Sequence, residues 1–302
     1  MTILRLAYGG PPKALAKGLK DVTELRLSMG APGNQGARFK KALADQGNEV
    51  TDVRLSMANG PAMRDSRAFP DHETRPALLV SYVYLDGFDK HRPNLHFRDW
   101  VMDSGAFSAW KSGKVIDVDR YTDVCKERLE QDHQLTEVFS LDVIGDWRGG
   151  LANTERMWSR GVEAIPTYHV GEPWEVLTEM AASYPKLALG GMVGYAKKKE
   201  WVEQCFARIW PKRIHGFGVM SEKIVMAFPF ESVDASNWEL GPTAFGRWSA
   251  FDGAHLNIRG GEQNLRPEVE RVLKLERKVK WRWRKQLAQL RSGESSSALA
   301  TG

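Results

Sequence analysis

The chain has 302 residues, 42% of them hydrophobic and 27% charged, which excludes a disordered polymer and suffices for one large buried core. No apolar run approaches the ~18–20 residues that cross a bilayer, so a membrane-spanning helix is excluded. The net charge of +5 is modest, and two cysteines, Cys125 and Cys205, cannot build a four-ligand structural zinc site and read as buried free thiols.

The opening "MTILRLAYGG" has no basic flank leading into a long apolar stretch, so a cytoplasmic setting is expected. Residues 1–75 contain an internal echo: "VTELRLSMG" (22–30) returns as "VTDVRLSMA" (50–58), with "APGNQG" and the helix-like "ARFKKALADQG" between. That reads as strand, glycine loop, helix, strand. Gly30, Gly33 and Gly36 either open a helix N-terminus onto a phosphate or make a plain βα connection; their spacing is not that of a dinucleotide fingerprint. This N-terminal βα extension is either an added subdomain or a source of strands that close a barrel.

From about residue 78 apolar runs of strand length recur: "LLVSYVY" (78–84), "DWVMDSG" (99–105), "VFSLDVI" (138–144), "AIPTYHV" (164–170), "LALGGMV" (187–193), "IHGFGVM" (214–220) and "SVDASNW" (232–238). Helix-like segments separate most of them: "DRYTDVCKERLEQD" (119–132), "GGLANTERMWSRG" (149–161), "EPWEVLTEMAASYP" (172–185) and "KKKEWVEQCFARIWP" (197–211). Alternation of this kind implies right-handed βαβ units and a parallel sheet. The expected architecture for residues 76–265 is α/β, a TIM-type (β/α)8 barrel, with an open doubly wound sheet as the alternative.

Polar residues fall where these strands end. Asp103 ends the second, Asp142 lies in "FSLDVIGD", His169 in "PTYHVGE", Gly190, Gly191 and Met192 in "LGGMVG", and Asp234 in "ESVDASNW". In a parallel barrel such ends meet on one face. A single strand-end aspartate is explained by capping of the next helix, but three carboxylates and a histidine at one register are not. Two carboxylates in one pocket suit chemistry at an anomeric carbon, one as nucleophile and one moving protons. A further carboxylate and a histidine can accept the N–H edge of a guanine-like base, and Gly190 and Gly191 let backbone approach its ring.

The segment "AFGRWSAFDGAHLNIRGG" (244–261) reads as a packed turn, loop or hairpin, with Arg247, Trp248 and Arg259 able to reach nucleic acid. Residues 266–291 form a basic helix with Trp281 and Trp283 among Arg271, Lys274, Arg277, Lys278, Lys280, Arg282, Arg284 and Lys285. It suits phosphate contact through Arg282 and Arg284, or docking on the body with a solvated charged face. The small polar tail 292–302 is expected to be disordered. His215 and His255 have no metal partners at useful spacing, and His91, His96 and His133 read as surface residues.

"DSGAF" resembles the D-S-G-G-F motif of the tRNA-guanine transglycosylase superfamily, and "SLDVIGD", "YHVGE", "ALGGMVG", "HGFGV" and "SVDASNW" follow in that family's order over roughly residues 78–240. The resemblance implies Asp234 as the nucleophile at C1′ of a nucleotide and Asp103 as the base handling the incoming ring proton. It implies base recognition by Asp142, by His169 in place of the family's glutamine, and by the backbone of Gly191 and Met192, with Ser104 and Phe107 also at the base. Two features depart from the family: Pro-Thr-Arg after the nucleophile is replaced by "ASNW", and the three-cysteine, one-histidine zinc site is missing. The short zinc-less pattern is more similar to the phage DNA branch (DpdA). That branch implies DNA and a 7-deazaguanine base (preQ0-like) as substrates, no metal or other cofactor, no membrane, and the cytoplasm of an infected host cell as the setting. Lys197, Lys198 and Lys199 form a candidate phosphate patch, or a solvated helix start. A tRNA-directed exchanger, a base-removing glycosylase and an inactive nucleic-acid-binding barrel are the alternatives. The oligomeric state stays open, a homodimer included.

Overall fold

The computed structural model describes residues 3–4, 54–57, 75–219, 221–234, 236, 247–249, 255–257 and 265–292, with side chains described over 75–219, 221–234, 236 and 265–286. In chain order the strands are β1 (Ile3–Leu4), β2 (Arg54–Met57), β3 (Ala77–Ser81), β4 (Trp100–Asp103), β5 (Leu135–Val138), β6 (Thr167–His169), β7 (Lys186–Gly190), β8 (Arg213–Gly216), β9 (Ser232–Val233), β10 (Arg247–Ser249) and β11 (His255–Asn257). The helices are α1 (Leu85–His91), α2 (Ala106–Lys111), α3 (Val118–Gln131), α4 (Trp147–Ser159), α5 (Trp174–Ser183), α6 (Lys198–Ile209), α7 (Glu222–Val225) and α8 (Arg266–Ser292).

All pairings among β1–β9 are parallel, in the orders β2-β3-β4-β5 and β6-β7-β8-β9-β1. A parallel bridge between Phe139 and Ile165 joins the two arcs on one side, and β1 lies beside β2 on the other. With helices between successive strands this is a TIM-type α/β barrel. Strands β2–β9 supply the eight expected, and the two-residue β1 inserts at the seam between β9 and β2. The N-terminal 75 residues therefore contribute strands to the ring, and a boundary at residue 75 does not separate them from the barrel. The first copy of the internal echo and its glycine loop lie outside the described residues, as do 293–302.

Strand β5 begins and ends earlier than its apolar run. The strand is Leu135–Val138, and most of the run that looked like strand, Ser140–Ile144, is loop. The cause is Glu137, whose carboxylate sits in the barrel floor beside Lys186 Nζ (2.7 and 2.8 Å). A charged residue is tolerated mid-strand when its partner is built into the neighbouring strands.

Side chains alternate across each strand, so the barrel interior can be read in layers. Leu79, Val101, Phe139, Ile165 and Ala188 pack together inside the ring with Phe217. Their neighbours in sequence, Leu78, Val80, Trp100, Met102, Leu187, Leu189, Ile214 and Val233, face the helices with Tyr121, Cys125, Leu177 and Phe206. Two residues before the interior layer lie Glu137, Lys186 and Arg213, a charged floor that Glu231 completes. Two residues after it lie Ser81, Asp103 and Gly190. The same alternation carries Ile165 through Thr167 to His169, and Ser232 to Asp234. A strand-end carboxylate thus points into the mouth because an apolar side chain two residues earlier fills the barrel.

In the floor, Lys186 is 3% exposed and bonds Glu137 and Glu231 (2.9 Å), while Arg213 bonds Glu231 (2.8 Å). Burial by itself raises the Glu231 carboxyl, but Lys186 and Arg213 hold it below the usual range. Lys186→Met is expected to cost about 3 kcal/mol at pH 7, because it removes the buried cation between two carboxylates and leaves Arg213, half-exposed, as the remaining cation beside both. Losing Lys186 removes the larger of the two cationic influences that hold Glu231 low, so its folded carboxyl binds a proton more readily and the deficit should shrink as pH falls toward 5. Urea midpoints at the two pH values check this; an equal deficit at both would assign the effect to packing.

Helix α8 docks through Val269, Val272, Leu273, Leu275, Val279 and Trp283, all buried. Trp283 Nε1–H donates to Val225 O (2.9 Å), Glu276 pairs with Arg98 (3.3 Å) and Lys280 (3.1 Å), and Lys278 with Glu222. Its other face leaves Arg277, Trp281, Arg282, Arg284 and Lys285 exposed, so docked helix and solvated basic face are both present. Lys280, expected on the solvated face, is buried instead, held by Glu276 one turn earlier. Strands β10 and β11 form an antiparallel hairpin; the side chains of Arg247 and His255 lie outside the described ones. Among the described residues no helix is long and apolar enough to cross a membrane.

Candidate active site at the barrel mouth

Asp103 closes β4 in register with Ser81 of β3. The chain then turns through Gly105 at φ 75°, a left-handed conformation, and a Cβ there would lie 2.4 Å from Ser81 Oγ. Only glycine satisfies both demands, so "DSG" is a device for starting α2 directly behind a carboxylate. Gly105 N–H donates to Asp103 Oδ2 (3.2 Å), and Ser81 lies beside Asp103 in the ladder. Burial first, and the charge of Asp142 second, nevertheless push the Asp103 carboxyl up to about 7.

Asp142 comes from the loop after β5, which Asn153 of α4 holds by donating to Leu141 O (2.9 Å). Its Oδ2 faces His169 Nε2 at 3.4 Å, while His169 Nδ1 faces Glu172 Oε1 at 3.1 Å. Glu172 also accepts the His169 backbone N–H through Oε2 (2.9 Å). Burial alone would lower the imidazole; Asp142 and Glu172 overcome it and raise its pKa to about 10. His169 is therefore an imidazolium at neutral pH with both N–H groups directed at carboxylates. The expected free base-reading edge is replaced by a cation that orients Asp142. Gly190, beside His169 in the ladder, is required by closeness: a Cβ there would sit 2.7 Å from the imidazole Cδ2.

Asp234 follows β9, its backbone N–H bonded to Gly216 O (3.1 Å). Its Oδ1 accepts Gly218 N–H (2.9 Å) and faces His215 Nε2 at 3.3 Å. His215 Nδ1 lies 2.8 Å from Ser232 Oγ, and His215, Ser232 and Asp234 are each 0% exposed. The Phe139 and Phe217 rings enclose the imidazole, with centroids at 4.7 and 4.6 Å. Asp103 and Asp142 are half-buried and open to the mouth, whereas Asp234 is wholly enclosed.

Four other expected site residues sit differently from one another. Phe107, on the first turn of α2, is 51% exposed, whereas Met192 is 1% exposed in the helix-side core, so only Phe107 offers a ring or side chain to a ligand. Ser104 is buried at 1%, its Oγ accepting Ala106 N–H (3.4 Å), which makes it part of the turn and not of the lining. Gly191 is exposed at φ 73°, its backbone presented at the mouth. Lys197 and Lys199 are exposed and Lys198 half-buried at the start of α6, just after β7. Three cations at a helix N-terminus oppose the macrodipole, an arrangement that a bound anion would relieve.

Glu172, Ser81 and His215 are the members that sequence reading missed. Glu172 stood in "YHVGE", and its position three residues after His169 was the available signal. Cys125 and Cys205 are buried free thiols; burial pushes Cys125 up to about 12 and raises Cys205 as well, so neither is a nucleophile at neutral pH. Among the described residues no group of three His, Cys, Asp or Glu side chains is arranged to hold a metal ion.

The fold and site define a parallel barrel with an acidic, histidine-braced mouth. No family model matches the chain, and no curated protein matches it. Among solved structures it is similar to an open form of tryptophan synthase from M. tuberculosis, with 11% identity, TM-score 0.43, and coverage of 81% of this chain and 98% of that one. The tryptophan synthase A-subunit of Pyrococcus furiosus gives 12% identity, TM-score 0.40, and coverage of 76% and 96%. A flavocytochrome b2 variant with benzoylformate gives 11% identity, TM-score 0.44, and coverage of 84% and 74%. The fold assignment itself rests on strand order and register.

Proposed function

We propose that the chain is an enzyme, a DNA guanine transglycosylase that exchanges guanine for a 7-deazaguanine base. The observation that carries this reading is placement: Asp103 and His169 end parallel strands of one ring, Asp234 directly follows another, and the loop after β5 brings Asp142 to His169 (3.4 Å). The family resemblance of "DSGAF" and the motifs after it supplies the reaction.

The target guanine leaves the duplex stack, since its C1′ and base edge are otherwise blocked. An Asp234 carboxylate oxygen bonds to C1′ as the C1′–N9 bond breaks, and N9 of the departing guanine takes the proton of Asp103. The incoming 7-deazaguanine gives its N9 proton to the Asp103 carboxylate. Its N9 then bonds to C1′ while the C1′–oxygen bond to Asp234 breaks, restoring the carboxylate. A carboxyl held at about 7 can both give and take that proton at neutral pH. Asp142, oriented by His169, accepts the base's N–H edge; Phe107 stacks on its ring, and Lys197, Lys198 and Lys199 hold phosphate.

Separate supply of DNA and tRNA with radiolabelled guanine and 7-deazaguanines tests the proposal. Label is expected in DNA alone. Label in tRNA would reassign the substrate, and release of guanine without incorporation would make the enzyme a glycosylase. The complete enclosure of Asp234 is the observation favouring an inactive nucleic-acid-binding barrel. That reading requires no label in either acid and binding indifferent to Asp103 and Asp234.

A further inference from the structure

The far end of α2 has a surface that base exchange itself does not need. Among the described residues the exposed large hydrophobics are Val83, Phe107, Trp110, Val115, Val143 and Val193, besides Trp281 of α8. The first six lie in segments that follow β3, β4, β5 and β7, on the mouth side of the barrel. Soluble surfaces seldom gather large apolar groups around one opening without a ligand for them.

Within that rim Trp110 is 59% exposed and stacks on Phe107, with centroids 6.1 Å apart and planes at 28°. The two stand three residues apart on α2 and so share a face. Lys111 Nζ lies 4.5 Å above the Phe107 ring. Residues 104–116 carry Lys111 and Lys114, both exposed, and no acidic residue. Aromatic faces flanked by cations match bases joined by phosphates. A second copy of the chain fits worse, because a two-fold contact here would bring the same lysines together. A duplex fits worse too, because its base faces are already covered by one another.

We infer that Trp110, with Lys111 and Lys114, forms a subsite for the unpaired nucleotide next to the extruded guanine, so that the substrate is single-stranded or locally opened DNA. The inference rests on the nucleic-acid reading of the mouth but not on the exchange chemistry. It makes Trp110 a stacking platform of low sequence preference and the lysines phosphate contacts.

The test is fluorescence anisotropy of the full-length chain with labelled oligothymidylate, which contains no guanine, and with a duplex of equal length. Single-strand binding is expected to weaken about tenfold in Trp110→Ala and to stay near the parental value in Trp110→Phe. Lys111→Ala with Lys114→Ala should flatten its salt dependence, and duplex binding should not respond to Trp110→Ala. Oligothymidylate binding that Trp110→Ala leaves unchanged would overturn the inference, even if label exchange proceeds. Tenfold weakening with no exchange into any DNA would keep the subsite and overturn the exchange reading. Sedimentation of a dimer that Trp110→Ala dissociates would assign the surface to a second copy and overturn the subsite.

Discussion

Asp234→Asn is expected to lower base exchange by about 10⁴-fold or more and to remove any covalent protein–DNA adduct on a denaturing gel. Asparagine is the decisive substitution because Asp234 is fully enclosed, with Oδ1 between Gly218 N–H (2.9 Å) and His215 Nε2 (3.3 Å). An amide oxygen still accepts those bonds, so the barrel keeps its packing while the anionic attack on C1′ is lost. Asp234→Ala leaves buried donors unpaired and is expected to cost about 1–3 kcal/mol of stability as well. A thermal midpoint near the parental value in Asp234→Asn, together with undiminished incorporation of labelled 7-deazaguanine, would remove Asp234 from the nucleophile's role. Adduct formation without incorporation would place the defect in the second half of the reaction.

Enclosure also shapes the order of events. A carboxylate with 0% exposure, unlike the half-buried Asp103 and Asp142, meets a sugar only after the groups covering it move, so under the proposed reaction attack on C1′ has to follow a rearrangement at β9.

The alternation of apolar runs with amphipathic segments was legible because most ring strands are buried on both faces. In β3 and β7 every residue is buried, and the sequence shows this directly as "ALLVS" and "KLALG". Strand β5 was displaced because two of its four residues, Thr136 and Glu137, are polar, and its partner Lys186 stands 49 residues away. No local pattern announces a long-range ion pair. The N-terminal strands were ambiguous for a related reason: β2 pairs with β3 and β1 with β9, pairings that spacing does not encode.

The site divided along the same line. Asp103 and His169 were legible as strand-end polar residues two positions beyond an interior side chain, and Gly105 as the turn that follows. Ser81 and His215 were not, since each acquires its role from a neighbouring strand: Ser81 from the register with Asp103, His215 from that with Ser232. A histidine searched for metal partners at sequence spacing has none, yet across the β8–β9 ladder it faces a serine hydroxyl and a carboxylate. Met192 divides the same way: its side chain packs under the helices, so the expected contact to the base is left to its backbone.

If Asp103 both gives and takes the proton, the two substrates should titrate oppositely in ping-pong kinetics. The kcat/KM for DNA needs the protonated carboxyl and should fall as pH rises through about 7; that for the incoming base needs the carboxylate and should rise through the same value. Asp103→Asn is expected to lower both by about 10²–10⁴-fold and to flatten both limbs. Asp142→Asn removes the second cause of the raised value, after burial, so both limbs should move to lower pH. Stability supplies an independent check on the same group. A carboxyl that titrates near 3.8 unfolded and about 7 folded binds more protons in the folded state between those values, so the folded protein loses stability as pH rises across that window. Asp103→Asn escapes that loss, and its thermal midpoint relative to the parent should be higher at pH 8 than at pH 4. Limbs that persist near 7 in Asp103→Asn, or a midpoint difference that ignores pH, would show that another group moves the proton.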